Sequence, residues 1–290
     1  MSAQGTHHIL LMGLPSTGKT SFLAALWYLV NQSHVSSGLA LEKLDGDSKY
    51  LNQIRETWLE FKAVPRNPLD SETLVSMALK DRASGRAVRL TLPDLSGESF
   101  RLQWTKRQLT KGYDKCLREA SGAIMFVHPN GITKPHRIDM VADLAAQLGD
   151  ATAQDMPHEQ EVAVQKPWDP EHAPTQVQLV ELLQFVSGRE YFKPPFRLAL
   201  TVSAWDVLLS LKETPERWFA RELPLLHQYI HCNAGTFDVS FYGVSAQGGE
   251  YANGQMSELQ GRRPAERILV EGSGVTNRHD LTEPLQWLMR

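Results

Sequence analysis

The sequence predicts an α/β protein with three layers: a mostly parallel sheet that includes one antiparallel hairpin strand, and helices on both faces. Three observations carry this. Short apolar runs alternate with segments of helical spacing along most of the chain. The run 122–128 has a continuous apolar core, Ala123 to Val127, as a strand covered on both faces must, and 196–202 reads as another buried strand. The first run stops at a glycine-bearing loop that opens directly into a helical pattern.

That first run, 7–12, reads as a strand, and helical spacing follows from Lys19 to about Asn31. The 39–44 segment reads as a strand, and 48–64 as a helix stopped by Pro65, with 65–70 a loop. Two β-like runs, 73–80 and 86–92, flank the polar connection 81–85, whose glycine suits a hairpin. Helical spacing from Phe100 to about Arg118 leads to the buried strand 122–128. Between Pro129 and Pro195 the pattern gives a helix around 138–148, a polar proline-bearing mobile loop near 150–174, and a helix over 176–186. Strand 196–202, helix 215–232, strand 237–244 and a closing helix 281–289 complete the order. The chain reads as one domain over 1–290, with insertions at about 35–70 and 130–195 and no internal repeat.

Composition narrows the function classes. With 42% hydrophobic and 22% charged residues, 290 residues suffice for a sizeable core. A net charge of -3 gives no global reason to expect nucleic acid as a partner. Trp104, Trp168 and Trp218 form no base-stacking array. The 2 cysteines, Cys116 and Cys232, make neither a disulfide framework nor a metal-ligand spacing, which fits a reducing, cytoplasmic setting. No secretion signal stands at the start, and the apolar run 22–30 is about half of the ~20 residues a membrane span needs. It reads as a buried helix, with no membrane insertion.

Gly13, Leu14, Pro15, Ser16, Thr17, Gly18, Lys19 and Thr20, followed by Ser21, match G-x-x-x-x-G-K-[ST] between a strand and a helix. Backbone N–H groups of such a loop surround phosphate oxygens, and its glycines let the backbone approach. Lys19 would reach the terminal phosphates of a nucleoside triphosphate, and Thr20 would place its hydroxyl on Mg²⁺. The fold this implies is the P-loop nucleotide-binding fold.

Further along, Asp94 and Gly97 stand in D-x-x-G after the run ending at Leu92. Ser203, Ala204, Trp205 and Asp206 follow strand 196–202, and Ser245 and Ala246 end strand 237–244. In this order the motifs resemble the translation-factor-related, Ras-like P-loop GTPases. By that resemblance Asp94 contacts Mg²⁺ through water, the Gly97 amide senses the γ-phosphate, Asp206 reads guanine, and the Ser245-Ala246 loop closes over the base edge. Ala204 stands where the family carries a lysine whose stem covers the base; Trp205 either takes over that face or does not. The spacing from Thr20 to Asp94, the Asp-x-x-Gly-Glu ending and the C-terminal helix are similar to the double-GTPase families of bacterial multi-gene conflict systems. That resemblance implies GTP/GDP and Mg²⁺ as ligands, a protein partner encoded nearby or a homodimer across the nucleotide face, and a role in antiviral defence.

A switch of this kind needs a hydroxyl from a loop to complete the Mg²⁺ shell, and Thr73 is the candidate, ahead of Ser71 and Thr57. Glu98 follows D-x-x-G where relatives carry a water-orienting glutamine. It can orient water, or its charge can keep water from the γ-phosphate; slow hydrolysis assisted by a partner is expected. Arg101, Lys106, Arg107 and Lys111 read as a solvated helix face or as a partner surface. Two other classes stay open: an ATPase or small-molecule kinase on the same loop, and a nucleotide-stabilised scaffold with negligible turnover.

Overall fold

The computed structural model describes residues 7–32, 36–45, 48–64, 75–92, 98–135, 169–188, 191, 194–249 and 259–290. Among the described residues eight strands form one sheet: β1 (His7–Met12), β2 (Leu39–Asp45), β3 (Val75–Asp81), β4 (Ala87–Leu92), β5 (Gly122–Val127), β6 (Phe196–Ser203), β7 (Phe237–Ser245) and β8 (Leu269–Gly272). They lie in the order β2-β3-β4-β1-β5-β6-β7-β8. Strands β4, β1, β5, β6 and β7 pair in parallel, while β3 runs against both β2 and β4. The α/β class and the antiparallel hairpin strand are as the sequence predicts. Strand β8, antiparallel to β7, is an addition. Its 4 residues are too few for the apolar pattern to announce it.

Among the described residues the helices are α1 (Lys19–Asn31), α2 (Ser48–Leu59), α3 (Glu98–Lys106), α4 (Lys111–Glu119), α5 (Thr175–Val186), α6 (Pro215–Glu222), α7 (Pro224–Cys232), α8 (Pro264–Arg267) and α9 (Glu283–Leu288). Alternate residues of one strand enter opposite cores, because successive side chains point to opposite faces. Ile9 and Leu11 of β1 join α1, α2 and α9 on one side. Leu10 and Met12 join α3, α4, α5, α6 and α7 on the other. Helix α1 is apolar nearly all round and is buried throughout 22–30, as the run predicts.

Three predicted helices end or divide differently. The 48–64 helix stops at Leu59, because Phe61 turns left-handed at φ 61° while its ring goes into the interior. The 100–118 segment is two helices: Arg107 at φ 50° breaks the first, and Thr110 caps the second by accepting from the Tyr113 N–H. The 215–232 segment divides at Leu223-Pro224, where the proline has no N–H to continue the first helix. The expected helix at 138–148 and most of the loop at 150–174 lie outside the described residues. Among the described residues no helix is long and apolar enough to cross a membrane.

The chain leaves β1 for β2, β3 and β4 on one side and returns to β5 on the other. The carboxyl ends of β1 and β5 therefore form a topological switch point, the place where open α/β sheets bind ligands.

Candidate functional site

The loop 13–18 occupies that switch point. Ser16 takes a left-handed turn at φ 63°, and Gly18 another at φ 88° as the residue preceding α1. A Cβ on Gly18 would lie 3.1 Å from Ser203 Cβ, so the glycine lets the loop approach the end of β6. Helix α1 has no side-chain cap and no acidic residue in its first turn. Its first-turn N–H groups thus present partial positive charge with no side chain competing for it. The Lys19 ammonium is buried within the loop and donates to the Gly13 and Leu14 carbonyls at 2.7 and 2.9 Å. Thr17 Oγ1 also donates to the Leu14 carbonyl, at 2.9 Å. This combination of a held cation and an uncapped helix start suits a polyanion.

Beside the loop is a cavity of about 390 Å³, within the range of small-molecule pockets. Gly18 and Ser21 line it from the loop and α1, Ser203, Ala204 and Asp206 from the end of β6, and Ser245 and Ala246 from the end of β7. Three predicted segments far apart in sequence therefore meet around one space. Ser203 Oγ, buried, donates to the Val127 carbonyl at 3.3 Å and ties the end of β6 to β5.

Ala204 is left-handed at φ 47°, and a 3₁₀ segment, Trp205–Leu211, follows. This turn places Asp206 on the cavity wall and sends Trp205 the other way. Trp205 is buried, donates from Nε1 to Glu271 Oε2 at 2.8 Å, and is not among the lining residues. It does not supply the base-covering face left by Ala204. The last loop is held from outside the predicted motifs. Ser245 Oγ accepts from the Gly248 N–H at 2.8 Å, and Trp58 Nε1 at the end of α2 donates to the Ala246 carbonyl at 2.9 Å. Arg267 lies over the Trp58 ring at 4.9 Å, holding that indole from its other side.

His128 and Asn130, just past β5, also line the cavity and were missed in the sequence, where strand 122–128 ended the reading. The available signal was their place at the carboxyl end of a central strand. His128 Nδ1 accepts from the Asn130 N–H at 3.2 Å, which leaves the neutral ring's proton on Nε2. Burial holds His128 below the ordinary histidine range, and the Asp206 charge opposes that shift.

Thr73, Asp94 and Gly97 lie outside the described residues, as does Ser71; Glu98 begins α3. The described residues on either side of 93–97 border the phosphate loop. Thr91, just before the end of β4, pairs with Leu10 of β1, and the Phe100 ring centroid is 5.6 Å from Lys19 Nζ. The Thr57 hydroxyl donates to the Gln53 carbonyl within α2, at 3.0 Å. Arg101, Lys106, Arg107 and Lys111 are exposed, but the break at Arg107 separates them onto two helices, and Arg107 pairs with Glu181 of α5 at 2.6 Å.

A family model described as Double-GTPase 1 matches residues 10–288. No curated protein matches the chain. Among solved structures it is similar to the bacterial selenocysteine-specific elongation factor EF-Sec, at 10% identity over 88% of this chain and 28% of that one, with a TM-score of 0.36. It is similar to sup35 complexed with GDP at 14% identity, over 85% of this chain and 39% of that one, with a TM-score of 0.34. A third similarity is to the signal recognition particle receptor SRb-GTP/SRX complex from Chaetomium thermophilum, at 13% identity, 88% and 96% coverage, and a TM-score of 0.40. The chain thus spans only 28% and 39% of the length of the first two.

Proposed function

The chain belongs to the double-GTPase family that its motifs resemble, and on that premise we propose that it is a GTP-binding, Mg²⁺-dependent regulatory switch with slow hydrolysis. The observation that carries this reading is the meeting of the phosphate loop, Asp206 and the Ser245-Ala246 loop around one cavity of about 390 Å³. The residues suit the ligand. A buried ammonium and an uncapped helix N-terminus favour the phosphates. The Asp206 carboxylate can accept from both N1–H and the exocyclic amine of guanine, whereas adenine offers no such pair. Gly13, Leu14, Pro15, Ser16, Thr17, Gly18 and Thr20 would surround the phosphates, with Ser21 at the cavity side.

Thr20, Asp94 and Thr73 would hold Mg²⁺, which supplies neutralisation of charge on the phosphates when bound. Lys19 would hold the terminal phosphates, and the Gly97 amide would respond to the last of them. Glu98, in the position after D-x-x-G, would keep turnover slow, because its charge would disfavour approach to the γ-phosphate. A protein partner, or a second copy across the nucleotide face, would then supply a cation. We read 1–290 as one domain acting in the cytoplasm, within a bacterial multi-gene defence system; family resemblance supports these last points.

Calorimetric titration of GDP, a GTP analogue and ADP, with and without Mg²⁺, tests the reading. GDP should bind about 10²-fold more tightly than ADP, since two hydrogen bonds to a charged acceptor are at stake. Asp206→Asn should lose GDP and gain xanthosine diphosphate. Equal ADP and GDP affinity, with no gain of xanthosine diphosphate, would turn the assignment to the ATPase or kinase class. Single-turnover hydrolysis faster than about 1 s⁻¹ would refute the slow switch, and no turnover at all would leave the scaffold.

A further inference from the structure

The segment His227-Gln228-Tyr229-Ile230-His231 lies on α7 and carries two imidazoles four residues apart, which places them on one helical face. Glu216, in the first turn of α6, comes to the same place from the neighbouring helix. One donor atom from each of Glu216, His227 and His231 lies within 4.8 Å of the other two. Glu216 Oε1 and His231 Nε2 are 3.9 Å apart. Bonds of about 2.0–2.1 Å to one tetrahedral ion put its donors roughly 3.4 Å from each other, so the cluster needs only a small closure.

Two further features prepare these side chains to bind. His231 Nδ1 is 2.8 Å from the His227 carbonyl, an oxygen that can only accept, so Nδ1 carries the proton and Nε2 turns its lone pair toward Glu216. A backbone carbonyl on the second ring nitrogen is the usual way a metal-ligating histidine is oriented. The His227 ring packs 4.1 Å from the His231 ring and 5.9 Å from the Phe241 ring of β7, which restricts its rotation. The helices beneath are fixed as well. Leu223 ends α6 and precedes α7, and it is buried together with Trp218, Phe219, Leu226 and Ile230.

Glu216 and His231 border a cleft of about 1040 Å³ that also reaches Pro195 and Phe237, beside the amino ends of β6 and β7. The nucleotide cavity is at the carboxyl ends of the same strands. From this geometry we infer that Glu216, His227 and His231 form a second site, for a divalent transition-metal ion of the zinc class. Two imidazole nitrogens and one carboxylate oxygen suit zinc, whereas Mg²⁺ and Ca²⁺ take oxygen donors. Three protein donors leave a fourth position facing the cleft, open to water or to a donor from a partner. The ion would clamp the start of α6 to the end of α7. That clamp acts 10 residues along the chain from Asp206, through the 3₁₀ segment and Thr214.

The alternative is that Glu216 and His231 only complement the helix dipoles at a helix start and a helix end. Chelator-treated, nucleotide-free protein titrated with Zn²⁺ alone separates the two. A single site of micromolar or tighter affinity is expected, with imidazole resonances of His227 and His231 shifting together at one equivalent in the wild-type protein. Glu216→Gln and His231→Gln, both at exposed positions, should each weaken Zn²⁺ at least 10-fold while GDP affinity stays unchanged. Absence of saturable Zn²⁺ binding, a shift confined to other histidines, or variants that bind Zn²⁺ like the wild type would overturn the site.

Discussion

Trp205 and Gly243 share one space. A Cβ added to Gly243 would lie 2.2 Å from Trp205 Cδ2, so the indole sits where any other residue's side chain would begin. Trp205 precedes Asp206 in the 3₁₀ segment, and the packing of the first therefore sets the position of the second. Gly243→Ala should destabilise the fold by about 1–3 kcal/mol, as overpacking of a filled core does. It should also weaken GDP more than Lys19-dependent phosphate binding. Denaturant unfolding together with GDP and pyrophosphate titration checks both, and an alanine variant with wild-type stability would contradict the packing.

Trp58 connects α2 to the loop after β7. Its indole N–H satisfies the Ala246 carbonyl, and its own carbonyl accepts from Gln247 Nε2 at 3.4 Å. Trp58→Phe keeps most of the apolar volume and removes one donor. The expected cost is about 1 kcal/mol of stability. Because Ala246 lines the cavity, GDP affinity should fall several-fold with little change for pyrophosphate. Equal loss for both ligands in titration would place the effect elsewhere.

Asp81, at the end of β3, ties the hairpin to the C-terminal helix. Its carboxylate accepts from the Ser84 N–H and hydroxyl at 2.6 and 2.7 Å, from the Ala83 N–H at 3.1 Å and from Gln286 Nε2 at 2.9 Å. Burial alone would raise this carboxyl, but the donors outweigh it and hold the group below the usual carboxylate range. A lowered folded-state value means that the unfolded chain binds the proton more readily. The stabilisation is therefore complete above about pH 4 and is lost as pH falls through the folded-state value. Asp81→Asn should cost about 1.5 kcal/mol at neutral pH, with the difference from wild type closing on acidification. A difference independent of pH in denaturant unfolding would rule this out.

How much of this was legible in the sequence depended on whether the cause was local. The strand, loop and buried helix around Lys19 follow from apolar patterning and glycine spacing alone. The division at Leu223-Pro224 was also readable, since a proline inside a helical run ends it. The turns at Phe61, Arg107 and Ala204 were not. Each is a non-glycine residue at positive φ, a conformation that no local apolar or glycine pattern announces. The inward direction of Trp205 follows from one such turn. The Trp58–Ala246 bond spans 188 residues, and no short-range pattern signals a bond of that kind.

The cavity offers one test of its electrostatics before any ligand is added. His128 is neutral, with its proton on Nε2, and burial holds its pKa below the ordinary 6.5. The Asp206 carboxylate acts in the opposite sense, because a nearby negative charge favours the imidazolium. Replacing Asp206 with asparagine removes that charge and keeps the size, so the pKa of His128 should fall further. Since the unfolded chain binds this proton more strongly, the stability His128 contributes is complete above about pH 6.5 and is lost as pH falls through its folded-state value. In Asp206→Asn that loss should start at the same pH, which the unfolded chain sets, and continue to a lower pH than in the wild type. Imidazole carbon resonances, with His128 assigned through His128→Gln, give both values directly. An unchanged His128 pKa on removing Asp206 would show that the two groups do not face each other across the cavity.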